Sequence, residues 1–268
     1  MRTLVHLSDL HFGRVDRSLL EPLCARVRGL APHLVVVSGD LTQRAKPAEF
    51  REARAFLDSL PAPRLVVPGN HDVPLYNVFQ RFFQPLDKFA RHISRNLEPA
   101  HVDDEMAVVG INTARSSVFK GGRVNEAQIA RVRGILCRLP AAVTRIVVTH
   151  HPFDLPPGHG SRQLVGHARQ AMQMFARCGA DILLSGHLHE SHASDTRLRY
   201  QIDDYAALVV QAGTATSTRG RGEANSFNVL QIERPCVRIE RLAWNGQDFE
   251  PHDAAEYRHT EHGWRKLE

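Results

Sequence analysis

The sequence predicts an α/β fold: a two-sheet sandwich with a mainly parallel first sheet and a more antiparallel second one. Three observations predict it. From residue 3 to residue 184, short apolar runs of strand type alternate with apolar residues at helical spacing, the signature of crossover units. After His189 the strand-like runs follow one another with only short links. The chain has 268 residues, 43% of them hydrophobic and 24% charged, which is enough apolar chain to bury a core.

Residues 3–7 form an apolar run suited to a strand, and Leu19, Leu23, Val27 and Leu30 then recur at helical spacing. Residues 34–37 are a β-branched run of the buried-strand type. Phe50, Ala53, Leu57 and Leu60 mark a second helix, and 65–67 a strand ended by Pro68 and Gly69. Residues 107–111 are a strand, Ile129, Val132, Ile135 and Leu139 a helix, 146–148 a strand, Met172 and Phe175 part of a helix, and 182–184 a strand. The later strands are expected at 200–202, 207–211, 227–232 and 237–242. Residues 73–99 interrupt the rhythm: Phe79, Phe82, Phe83, Leu86 and Phe89 fall at helical spacing. They predict a helical hairpin with a small core of its own, inserted as a cap. The expected organisation is one domain over 1–248 and a loosely held polar tail over 249–268.

Composition excludes several classes. No run of about 18 apolar residues exists, so no membrane-spanning helix is expected, and residues 1–16 lack the pattern of a secretory signal. Cys24, Cys137, Cys178 and Cys236 are far apart and form no Cys-x-x-Cys pair. They read as small core hydrophobes of a cytoplasmic protein. The formal charge of +5 suits anionic substrates but is a weak sign of nucleic-acid binding. Histidine is the unusual residue, with 16 in the chain.

Those histidines cluster where chemistry is expected. Five strands are each followed at once by a polar group: Ser8-Asp9-Leu10-His11, Gly39-Asp40, Gly69-Asn70-His71-Asp72, His150-His151-Pro152 and Gly186-His187-Leu188-His189. In an open parallel sheet, ligands bind outside the carboxyl ends of the strands, so these clusters are expected to converge. Carboxylates, imidazoles and one amide oxygen, without thiolate, suit first-row ions such as Mn, Fe, Zn or Co. In locally extended backbone the outer residues of Asp9-Leu10-His11 and of His187-Leu188-His189 would face one side. Gly39, Gly69 and Gly186 permit tight turns straight off a strand.

The order Asp-x-His, Gly-Asp, Gly-Asn-His-Asp, His-His-Pro, Gly-His-x-His resembles that of the calcineurin-like metallophosphoesterase superfamily, over residues 3–232. Gly39-Asp40-Leu41-Thr42, Gly213-Thr214-Ala215 and Asn225-Ser226-Phe227-Asn228 resemble the bacterial cyclic-nucleotide and glycerophosphodiester phosphodiesterases. The resemblance implies a four-layer fold and two metal ions. Asp9, His11, Asp40 and His189 would hold the first ion; Asp40, Asn70, His150 and His187 would hold the second, with Asp40 shared. His71 would be the catalytic residue, off the metals and facing the substrate. His151 is expected to turn away from His150 into a structural role. Two divalent ions against two aspartates leave a net positive site, suited to a phosphodiester attacked by metal-bound hydroxide.

One position departs from the pattern. Many relatives carry an acidic residue three positions after the shared aspartate, supporting the motif histidine; here it is Gln43. Asp72 is an alternative support. Arg115 is a candidate substrate-binding residue, able to reach a phosphate bidentately. Arg219 and Arg221 lie in a basic loop that either borders the site or faces water, and His159 and His167 in a long loop near the His150 strand end. The function expected is hydrolysis of a small phosphodiester, with no membrane partner. The alternatives are a DNA nuclease, a phosphomonoesterase and, least favoured because every ligand position is filled, a non-catalytic scaffold.

Overall fold

The structure, a computed structural model, describes residues 1–117, 121–220 and 222–267. Its elements run, in chain order, β1 (Arg2–Leu7), α1 (Leu20–Gly29), β2 (Leu34–Ser38), α2 (Pro47–Ser59), β3 (Arg64–Val67), α3 (Val78–Phe83), α4 (Asp87–His92), β4 (Ala100–Val102) and β5 (Met106–Gly110). They continue with α5 (Glu126–Leu136), β6 (Thr144–Val148), α6 (Ala168–Arg177), β7 (Ile182–Ser185), β8 (His192–Asp195), β9 (Leu208–Gln211), β10 (Ser226–Glu233), β11 (Cys236–Trp244), β12 (Phe249–Thr260) and β13 (Gly263–Lys266).

Two sheets form, in the orders β13-β12-β11-β10-β1-β2-β3 and β4-β5-β6-β7-β9-β8. Strands β1, β2 and β3 are parallel, and β10 to β13 extend the same sheet antiparallel from β1. In the second sheet β5, β6, β7 and β9 are parallel, with antiparallel β4 and β8 at its edges. The α/β two-sheet architecture is as expected, but the division differs. Both sheets are mixed: the C-terminal strands extend the first antiparallel from β1, and β4 and β8 flank the parallel strands of the second. Strands buried on both faces look alike in sequence, so periodicity does not say which sheet a strand joins.

Side-chain alternation builds four layers. Leu4, Val36 and Val67 of one sheet cluster with Val108, Ile146, Leu184 and Val210 of the other. The next residues along, Val5, Leu7, Val35 and Val37, pack with Leu23 and Val27 of α1 and Phe50 and Leu57 of α2. On the far side Val109, Val147, Leu183 and Val209 pack with Val132 and Leu136 of α5 and Met172 and Phe175 of α6. The carboxyl ends of β1, β2, β3, β6 and β7 are thereby held by a dry seam between the sheets.

Several expectations are corrected. The tail expected over 249–268 is not loose where it is described: β12 spans twelve residues against β11, and β13 closes on it. Trp264 is 1% exposed, and its indole N–H donates to Asp181 Oδ1 (3.1 Å). Residues 250–254 are all exposed, as are Glu256 and Arg258, which is why the segment reads as polar. No strand forms at 200–202. Tyr200 instead donates its hydroxyl to the Phe153 carbonyl (2.6 Å). The helical hairpin at 73–99 has no separate core. Phe89 is buried against Phe50 of α2, ring centroids 6.4 Å apart, whereas Phe79, Phe82 and Phe83 of α3 are exposed. Cys137 and Cys178 are not two separate core thiols but a disulfide between the C-terminal ends of α5 and α6, an adjacency that a sequence separation of 41 conceals. Cys24 is a buried free thiol and Cys236 a half-buried one. Among the described residues no helix is long and apolar enough to cross a membrane.

Trp264→Ala should destabilise the fold by about 3–5 kcal/mol, the cost of emptying a large buried site. Urea unfolding followed by far-UV circular dichroism reads this as a lower midpoint at constant slope. An unchanged midpoint would mean that the hairpin contributes nothing to the core.

Candidate metal centre

The strand-end loops meet over the seam between the sheets. Asp9 and His11 follow β1, Asp40 follows β2, Asn70 and His71 follow β3, His150 follows β6, and His187 and His189 follow β7. Ligand-capable atoms of Asp9, His11, Asp40 and His189 all lie within 4.8 Å of one another. A second such group contains His150, His151 and His187. Asp40 stands between the groups: its Oδ2 is 3.7 Å from His11 Nε2 and 3.4 Å from His150 Nε2. Asn70 Oδ1 lies 3.1 Å from His150 Nε2 and so joins the second group.

The backbone that presents these atoms is not extended. Asp9, His11, Asp40, His187 and His189 have φ of 54°, 49°, 51°, 75° and 60°, left-handed values that cost free energy for residues other than glycine. The outer residues of each x-Leu-x triplet converge because both are kinked, while Leu10 and Leu188 between them are fully buried. Two glycines are required by close approach. A Cβ on Gly69 would sit 2.2 Å from Asp40 Oδ1, and one on Gly186 would sit 1.8 Å from Ser8 Oγ. Only Gly39 of the three uses a positive φ.

Hydrogen bonds lock the donors. Ser8 Oγ and the His187 N–H both donate to Asp9 Oδ2 (2.6 and 3.0 Å), leaving Oδ1 without a hydrogen-bond donor. The His71 N–H donates to Asp40 Oδ1 (2.8 Å), leaving Oδ2 for the histidines. His150 Nδ1 donates to the Ser38 carbonyl (2.8 Å) and His189 Nδ1 to the Arg219 carbonyl (3.2 Å). Each ring therefore turns its Nε2 inward, the arrangement that second partners impose on metal-binding imidazoles. Asp72 does not support the His71 ring. It accepts from the N–H groups of Gly69, Leu41 and Thr42 and from Thr42 Oγ1, tying two site loops together. The His71 ring is held instead by the Gln43 carbonyl, to which Nδ1 donates (3.0 Å).

Charge follows burial. Burial acts to raise the Asp9 and Asp40 carboxyls, but the surrounding imidazoles pull both well below the usual carboxylate range. Burial acts to lower His150, and the Asp40 carboxylate more than offsets it, raising that imidazole to about 9. Burial and then His150 push His187 down to about 3. The fit to a cation rests on the donors themselves. His11 Nε2 and His189 Nε2 face each other at 3.2 Å, and His189 Nε2 lies 3.2 Å from Asp9 Oδ1. Ligands about 2.0–2.2 Å from a shared ion subtend separations of roughly 3–3.5 Å.

Other expected residues fall differently. His151 does not turn away. Its ring lies 4.8 Å from His150 and 4.7 Å from His187, centroid to centroid. Its Nδ1 is 2.8 Å from Thr113 Oγ1, and its buried Nε2 has no partner. Strand alternation ends with β6 at Val148 and does not govern it. Arg115 does not reach the cleft. Its guanidinium donates to the Asn112 and Ala114 carbonyls and to Gln128 Oε1, bracing the start of α5. His159 pairs with Glu190 (2.9 Å) and His167 with Arg123 (3.0 Å). Arg221 lies outside the described residues.

A cleft of about 390 Å³ opens over the centre, bordered by Gln43, Arg44, His71, Leu75, Arg81, Gln163 and Arg219 as well as the ligand candidates. Arg44 lies four residues after Asp40, on the same strand-end loop as the Gly-Asp motif. Leu75, Arg81 and Gln163 carried no local signal, since they come from the α3 hairpin and from the loop before α6.

The calcineurin-like phosphoesterase family matches residues 2–191. The chain belongs to that family. Membership makes it, by class, a metal-dependent phosphoester hydrolase. This phosphoesterase is 27% identical over 163 residues to a glycerophosphodiester phosphodiesterase of Enterobacter lignolyticus, covering 57% of the chain and 58% of the relative. It is 27% identical over 256 residues to a cAMP/cGMP dual specificity phosphodiesterase of Mycobacterium tuberculosis, covering 85% of the chain and 75% of the relative. In fold it is similar to a dimetal phosphatase from Danio rerio (TM-score 0.65, 13% identity, 90% of this chain and 96% of that one). It is likewise similar to a purple acid phosphatase from yellow lupin (TM-score 0.67, 12% identity, 95% and 53%).

Asp72→Ala should cost about 2–4 kcal/mol, because it strands several buried N–H donors. Thermal unfolding with and without Mn²⁺ is the measurement. Unaltered stability would mean that the loops do not depend on this carboxylate.

Proposed function

We propose that this phosphoesterase hydrolyses small phosphodiesters, of the cyclic-nucleotide or glycerophosphodiester type, at a dinuclear centre. The observation that carries the reading is Asp40, one buried carboxylate whose Oδ2 approaches a histidine of each donor group. Asp9, His11, Asp40 and His189 hold one ion; Asp40, Asn70, His150 and His187 hold the other. The ions, of the Fe, Mn, Zn or Co class, supply Lewis acidity toward the phosphoryl oxygens and an activated water when bound.

The chain's own residues do the rest. His71 turns Nε2 into the cleft while Nδ1 is pinned by the Gln43 carbonyl, so the ring can hydrogen-bond a phosphoryl or leaving oxygen without becoming a ligand. The border of the cleft beyond Asp40 carries arginines and amides and no further carboxylate among the described residues, which suits an anionic diester. The two phosphodiesterase relatives support the diester over the monoester.

His71→Ala should leave metal content nearly intact and slow turnover of bis(p-nitrophenyl) phosphate by about 10²–10⁴-fold, the range for a lost proton-transfer group. Loss of metal alongside activity would make His71 a ligand instead. Asp40→Ala should deplete both ions, whereas Asn70→Ala should weaken one, as read by elemental analysis after dialysis. Equal depletion by the two variants would contradict a shared carboxylate. Hydrolysis of diesters should exceed that of p-nitrophenyl phosphate, and the reverse preference would overturn the phosphodiesterase reading.

A further inference from the structure

One of the arginines that border the cleft also touches His71. Arg219 lies in the link between β9 and β10, and that link is firmly held. The Thr218 N–H donates to the Arg14 carbonyl (2.9 Å), the Arg219 N–H to Ser217 Oγ (3.1 Å), and Asn225 Nδ2 to the Ser217 carbonyl (2.9 Å). From this anchor the residue works in two directions. Its carbonyl accepts from His189 Nδ1. Its guanidinium crosses to the opposite wall, with Nη1 3.1 Å from His71 Nε2 and 3.4 Å from Gln43 Oε1.

Its side-chain partners are an imidazole nitrogen and an amide oxygen, and neither is a carboxylate. Among the described residues no carboxylate pairs with Arg219. A guanidinium can only donate, so His71 Nε2 accepts in this arrangement. A fixed positive charge resting on an imidazole nitrogen and an amide oxygen is poorly matched. A phosphate oxygen is the better acceptor for a guanidinium, by charge and by planar geometry. The departure at Gln43 gains a meaning here. A carboxylate at that position would lie within ion-pair reach of Arg219 and hold it to the wall, whereas the amide leaves its charge available.

We propose that Arg219 is the specificity-determining residue that binds a non-bridging oxygen of the substrate phosphoryl group. It exchanges His71 Nε2 and Gln43 Oε1 for that oxygen, and Gln43 is an amide so that the exchange is favourable. The role rests on the phosphodiesterase reading for its substrate, but its binding step is separable.

The test uses the full chain loaded with Mn²⁺ and inorganic phosphate as the probe, titrated calorimetrically beside steady-state hydrolysis of bis(p-nitrophenyl) phosphate. Arg219→Gln should weaken phosphate binding about 10–100-fold, the loss of one hydrogen bond between charged groups. It should raise KM more than it lowers kcat, with bound Mn²⁺ unchanged because the backbone carbonyl still holds His189. Gln43→Glu should weaken phosphate in the same direction with Arg219 intact, and it guards against a loop that misfolds in the first variant. Phosphate affinity within twofold of wild type in both variants would overturn the assignment, as would loss of Mn²⁺ from Arg219→Gln in step with affinity. Phosphate binding that depends on Arg219 in a protein inert to diesters would sink the substrate reading and leave the anion site standing. An active wild type matched by both variants would do the opposite.

Discussion

Two carboxylates without solvent are the constraint on which the rest of this structure depends. Asp9 is fully buried and Asp40 is 1% exposed, and the imidazoles around them hold both carboxyls well below the usual carboxylate range. Burying a charge is costly unless it is paired. The two aspartates therefore demand positive charge at two adjacent places, and histidines from the loops after β1, β6 and β7 crowd around them. Proton and metal compete for those nitrogens. The pull of Asp40 that keeps a proton on His150 is the same field that favours a cation there.

Meeting that demand shapes the backbone. Five ligand candidates adopt left-handed conformations immediately after a strand, and Gly69 and Gly186 let loops approach where any side chain would collide. The strain is held by Asp72 across two loops and by Thr214, whose hydroxyl donates to the Asp9 carbonyl (2.7 Å). Beneath the loops lies the apolar seam between the sheets. The donors come from both sheets, so the geometry of the centre is set by that packing and is rigid to the same degree.

Much of this was legible in sequence because it is local. The apolar runs at 34–37 and 146–148, the polar clusters at five strand ends and their order all survive in the structure. What failed was either non-local or averaged over two environments. Residues 249–260 look polar because most of the strand is exposed, yet Phe249 and Tyr257 are buried near its two ends and Trp264 follows them into the core. Cys137 and Cys178 look unrelated until α5 and α6 lie side by side. Arg115 looks like a phosphate clamp, but the carbonyls around it take its guanidinium. Arg219 could be read either way, and only the fold brings it opposite His71.

The amino-acid sequence determined which donors exist, that each follows a strand, and that the chemistry is of the oxygen-and-nitrogen ligand kind. Tertiary structure decided which atom of each donor faces inward, how near Asp40 Oδ2 comes to a histidine of each group, that His151 joins the cluster, and that Arg219 spans the cleft. The physical reason is one of range. Donor identity and strand periodicity are encoded within a few residues, whereas ligand distances depend on strands about 4.8 Å apart and sheets about 10 Å apart, brought together by contacts between segments far apart in the chain.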